Sequence, residues 1–93
     1  MSVLCLQRSP GQSILIGRRD EVVYAERDGA GVLIDHRTAD GTTRRHWLAV
    51  GGSVRCGPAV VILREFTTAR AVRIAVDSPR EVRVDRAELR RVA

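Results

Sequence analysis

Apolar and polar residues alternate in short runs along most of the chain, with a period of two and with turn residues at the breaks. That period puts successive side chains on opposite faces of a strand, so the pattern predicts β structure. "VLCLQR" (3–8) is followed by the turn "SPG" (9–11) and by "QSILIG" (12–17), two short strands joined tightly. After the polar break "RRD", "EVVYAE" and "VLIDHR" flank the Gly-containing turn "RDGAG" (27–31), which predicts a hairpin. "ADG" (39–41) carries the Asp-Gly pair favoured in hairpin turns, and "TTRRHWLAV" reads as the strand that follows it.

"GGSVRCGP" (51–58) is the most punctuated segment, and beyond it come the β-branched run "AVVILREF", then "AVRIAV", the turn "DSPR" and "EVRV". The period changes at "DRAELRRVA", where Asp85 as cap, Glu88 at capping-box spacing and the pair Leu89 and Val92 predict a short terminal helix. An internal echo runs through this pattern. "ILIG…EVVYAER…GVLI" (14–34) and "LAVG…AVVILRE…AVRI" (48–74) read as two hairpins of one kind, although any β meander produces a similar match.

Composition changes the picture in three ways. Ninety-three residues make one small domain, which buries only about 60 percent of its unfolded surface. With one Phe, one Trp and one Tyr, the core must come from aliphatic side chains, and a homodimer is expected to supply what a thin core lacks. The net charge of +5 is carried by Arg alone among the basic residues, a side chain whose planar fork fits phosphates and guanine edges. Residues 18–57 hold seven Arg and six acids for +1, and the remainder holds nine Arg and five acids for +4.

Cys5 and Cys56 stand apart from each other and from any Cys/His cluster, so metal ligation is not expected and both read as buried free thiols. No apolar run reaches the ~18 residues of a membrane span and no basic-then-apolar leader opens the chain; the expectation is a soluble cytoplasmic protein. His36 and His46 lack a nucleophile, carboxylate pair or phosphate-cradling loop, so neither an enzyme nor a cofactor is expected. Arg44, Arg45, His46 and Trp47 form a local basic-aromatic cluster; such a Trp anchors an apolar face more often than it stacks a base.

Two segments, "LCLQRSPGQSILIG" (4–17) and "VRIAVDSPREVRVDRAEL" (72–89), resemble the opening and closing segments of the CsrA/RsmA carbon storage regulators. The first is similar to that family's strand ending in Arg, Gly turn and strand ending in Ile-Gly. The second is similar to its Val-Arg-Ile strand, Ser-Pro-basic turn, Glu-Val-x-Val strand and the Arg that opens its helix; "AVVILREF" takes the place of its third strand. The chain departs from the family in about forty extra residues, 18–57, in Ser9 where a second basic residue is usual, and in lacking the Gly before "VRI".

The resemblance implies a single domain over 1–93 that is mainly β: a strand-swapped dimeric β barrel or sandwich with a short C-terminal helix; residues 18–57, β-branched and entered and left at Gly17 and Pro58, read as added β strands outside the dimer core. It implies that the first strand of one chain lies beside the last strand of the other, and that the edges so formed grip GGA motifs in the loops of messenger leaders or small RNAs, repressing translation or altering message stability. By position, Leu6, Gln7, Arg8, Val82, Val84 and Arg86 would form the RNA surface, with a protein antagonist as a further conceivable partner. The alternation in "EVRVDR" agrees, placing Val82 and Val84 on one face and Arg86 at the strand-to-helix corner. The alternative is a protein-interaction module on the same scaffold, its RNA site covered or replaced by residues 18–57.

Overall fold

The structure, a computed structural model, describes residues 2–91. Nine strands run β1 (Ser2–Arg8), β2 (Ser13–Ile16), β3 (Asp20–Asp28), β4 (Gly31–Arg37), β5 (Thr43–Ala49), β6 (Ser53–Cys56), β7 (Ala59–Phe66), β8 (Val72–Ser78) and β9 (Val84–Arg86), followed by helix α1 (Ala87–Arg91). They form two antiparallel sheets, one ordered β1-β8-β7-β6 and the other β5-β4-β3-β2-β9. The inward faces meet in one aliphatic core, from Ile14, Ile16, Val22, Val32 and Ile34 of the second sheet to Val61, Leu63, Val72, Ile74 and Val76 of the first. Tyr24 is the largest side chain fully inside, and its hydroxyl donates to the Arg70 carbonyl at 2.7 Å, which satisfies the one polar atom the ring carries inward.

The pairing contains a repeat. β2-β3-β4 and β6-β7-β8 are both three-strand meanders, and β1 joins β8 of the second while β5 joins β4 of the first. Partners match at an offset of about forty: Ile14 faces Val22 as Val54 faces Val61, and Arg8 faces Val72 as Leu48 faces Val32. A register slip falls between Tyr24 and Glu26 in one half and between Leu63 and Glu65 in the other. The corners match too. Gly11 and Gly51 take φ of 91° and 85°, a conformation that only Gly enters freely, and their N–H groups donate to the Tyr24 and Leu63 carbonyls, each at 2.7 Å. The chain is two equivalent halves that exchange their first strands.

Several expectations need correction. Residues 18–57 are β as read, but they do not lie outside the core: Val22, Tyr24, Val32, Ile34, Leu48 and Cys56 are buried in it. The first strand lies beside β8 of its own chain, and the last beside β2. "EVRV" is not the final strand; Glu81–Arg83 complete a turn in which the Val82 N–H donates to the Pro79 carbonyl at 3.0 Å, and β9 begins at Val84. "SVRC", within the punctuated stretch, is strand β6. Cys5 is exposed, since its side chain points away from the core, whereas Cys56 is buried and that burial pushes its thiol up to about 11. Of the apolar pair expected on the helix, Val92 lies outside the described residues.

Candidate nucleic-acid interface

β1 and β9 are the edge strands of their respective sheets, and one ion pair ties the end of β1 to α1, the helix that directly follows β9. Alternation along β1 sends Leu6 and Arg8 inward and Gln7 outward. Arg8 is only 3% exposed, and each of its guanidinium nitrogens donates: Nη1 to Glu88 Oε1 at 2.9 Å and to the Ser13 carbonyl at 3.2 Å, Nη2 to Glu88 Oε2 at 3.1 Å, and Nε to the Gln7 carbonyl at 2.7 Å. The bidentate geometry fixes the Glu88 carboxylate in place, and the Arg8 hydrogen bond pulls its pKa down to about 2. α1 is thereby pinned at the end of β1, and β9, immediately before it, is held along β2 through Ile14–Arg86, Leu15–Asp85 and Ile16–Val84.

The six residues named from the sequence fall into three groups. Gln7 and Arg86 are exposed on the two edges. Val82 and Val84 are half-buried and pack against the core from the turn and from the start of β9. Leu6 is in the core, and Arg8 is committed to Glu88, so neither presents a free side chain. The partner that buries Arg8 lies eighty residues away in sequence, and no local pattern around "LQRS" announces it.

A cavity of about 520 Å³ opens beside β9, lined by Gly17, Arg18, Glu81, Val82 and Arg83. One wall is tied by Gly17, whose N–H donates to the Arg83 carbonyl at 2.7 Å. The alternation in "EVRV" places Arg83 on the polar face opposite Val82 and Val84, a solvated position, and the only signal for Arg18 is the Arg pair directly after "ILIG". Arg83 also meets Asp85, Nε to Oδ2 at 2.5 Å, while its side chain remains mostly exposed.

No family model, curated protein or solved structure matches this chain.

The basic-aromatic cluster of β5 lies at the opposite edge of its sheet from β9. Trp47 does not anchor a buried face there: it is 50% exposed, lies across Gly31 and donates from Nε1 to the Asp28 carbonyl at 3.2 Å. Arg45 is paired with Asp35 at 2.8 Å, and that bond holds the Asp35 carboxyl below its ordinary range. No helix among the described residues is long and apolar enough to cross a membrane.

Proposed function

We propose that this chain is an RNA-binding post-transcriptional regulator that holds a GGA motif in an RNA loop against the β1 and β9 edges, repressing translation or altering message stability in the cytoplasm. The observation that carries the reading is the Arg8–Glu88 clamp, which ties the end of β1 to the helix that follows β9 while Gln7 and Arg86 stay exposed on the two edges. Strand edges offer backbone donors and acceptors to splayed bases, and a guanidinium matches the O6 and N7 of guanine. Arg86 takes the base-reading role, and Val82 and Val84 offer an aliphatic rest for a base. Arg18 and Arg83, around the adjoining cavity, suit the flanking phosphates. Leu6 and Arg8 act by holding the edge in shape.

One chain suffices for this reading. The strand exchange that the resemblance assigns to two protomers takes place here between the two halves of a single chain, whose inward faces share one core. Residues 18–57 lie mostly in β3 to β6, away from the β1 edge, which favours RNA binding over a covered interaction module.

The test is binding of a hairpin with GGA in its loop against the same hairpin with the loop changed to CCU, at several salt concentrations. A preference of at least about fivefold that persists as salt rises supports the proposal. Equal affinity for both loops, lost together with salt, contradicts it.

A further inference from the structure

The two halves differ at one edge. In the first, the outer edge of β2 carries β9; in the second, the matching edge of β6 carries no strand among the described residues. Burial follows this difference: Ser13 and Ile14 are 6% and 1% exposed, whereas their counterparts Ser53 and Val54 are exposed and half-buried. At the place of Leu15, which faces Asp85 across the β2–β9 ladder, β6 has Arg55. Arg55 is exposed and makes no ion pair or hydrogen bond through its side chain among the described residues.

The backbone of β6 is set up to accept another strand. The Leu63 N–H donates to the Gly52 carbonyl at 3.1 Å, so the alternation of an antiparallel pair directs Gly52, Val54 and Cys56 toward β7 and turns the N–H and C=O of Ser53, Arg55 and Gly57 outward. In the first half the matching edge is covered by β9, as the 2.7 Å bond from Gly17 to Arg83 illustrates, and the Ser13 carbonyl accepts from Arg8.

We propose that the β6 edge is a strand-addition site for an extended segment of a partner protein, running antiparallel to β6, with aliphatic residues opposite Val54 and Cys56 and an Asp or Glu opposite Arg55. The chain's own β9 supplies the template at two of the three positions, with Val84 opposite Ile16 and Asp85 opposite Leu15, while Arg86 faces Ile14. Residues directly opposite in such a ladder have Cβ atoms about 4.5–5.5 Å apart, within ion-pair reach for Arg55. The exposed Arg55 argues for an acidic strand over a second copy of this chain, because self-pairing centred on Arg55 sets two guanidinium groups against each other. The proposal is independent of RNA binding at β1 and β9.

The test uses the full-length 15N-labelled protein and a capped peptide of alternating acidic residues and valine, EVEVDVE. Saturable shifts and slowed amide exchange at Ser53, Arg55 and Gly57 are expected. Arg55→Pro removes an outward N–H without breaking the ladder to β7 and should abolish binding. Arg55→Glu should weaken it by about fivefold and transfer the preference to a KVKVKVK peptide; this variant decides the matter if the proline form does not fold. The proposal is overturned if β6 amides do not respond, if binding survives Arg55→Pro or ignores charge reversal, if the peptide acts only at Leu15 and Asp85 by displacing β9, or if protection at β6 exists without peptide and disappears on dilution, which would assign the edge to a second copy.

Discussion

Joining Gly17 directly to Pro58 removes residues 18–57 and leaves 53. Gly17 and Gly57 end equivalent strands with φ of 62° and 60°, so the junction reproduces a turn the chain already makes, and β2 takes the place of β6 beside β7. A single shortened chain then has one sheet and nothing to face it. Six of the fifteen clustered core side chains are gone, Val22, Tyr24, Val32, Ile34, Leu48 and Cys56. At about 1.5–3 kcal/mol of burial each, that loss is roughly 9–18 kcal/mol. It matches or exceeds the whole stability of a small domain, about 5–15 kcal/mol, even before the remaining inward face is exposed to water. A pair of shortened chains restores what is missing, since β1 can cover β8 of the other copy and β9 its β2, as the two halves do in the full chain. The shortened protein is therefore expected to fold only as a dimer, with a melting temperature that rises with concentration, while the full chain scatters light as a monomer at micromolar concentration. Circular dichroism with light scattering decides. A folded shortened monomer refutes the reasoning about the core, and a chain unfolded even at high concentration refutes the equivalence of the halves.

Three smaller perturbations test particular contacts. Leu63→Ala, at a fully buried position facing Ile74, should cost about 2–5 kcal/mol in denaturant unfolding; less than about 1 kcal/mol would contradict its place in the core. In Gly31→Ala the new Cβ would clash with the Leu48 carbonyl oxygen and lie 2.6 Å from the Trp47 ring, so a loss of about 1–3 kcal/mol and a change in tryptophan emission are expected; unchanged emission would place Trp47 elsewhere. Because the Glu88 carboxyl is held at about 2, below its ordinary 4.5, its contribution to docking α1 is complete above about pH 4.5 and is lost as pH falls through about 2. Amide shifts of Ala87 and Glu88 followed against pH should show a midpoint near 2, and a midpoint near 4.5 would mean that Arg8 does not hold it.

Most of the strands were legible because a half-buried strand writes its period into the sequence, as in "VLCLQR" and "AVRIAV". The duplication left only an echo no stronger than any β meander gives, and in the wrong register. The echo matches "ILIG" with "LAVG", whereas its structural counterpart is Val54–Gly57, because an edge strand with exposed Ser53 and Arg55 carries too little apolar signal to be matched. The same weakness hid β6 itself among its flanking glycines. That residues 18–57 complete the core follows from strand exchange between halves, a long-range arrangement that local patterning does not encode. At the candidate interface, Arg86 and Gln7 lie exposed as expected, but the fate of Arg8 depended on Glu88 at the other end of the chain.

The central claim is that the β1 and β9 edges read an RNA loop through Arg86, and it is tested most directly by comparing Arg86→Ala with Arg44→Ala, a change on the distant β5 edge, for binding to GGA and CCU hairpins at fixed salt. The account predicts that Arg86→Ala loses about 1–3 kcal/mol on the GGA hairpin and most of the preference over CCU, while Arg44→Ala changes both affinities little and alike. If the two variants lower affinity equally, or if Arg86→Ala leaves the preference intact, the edge does not read the loop and the account is contradicted.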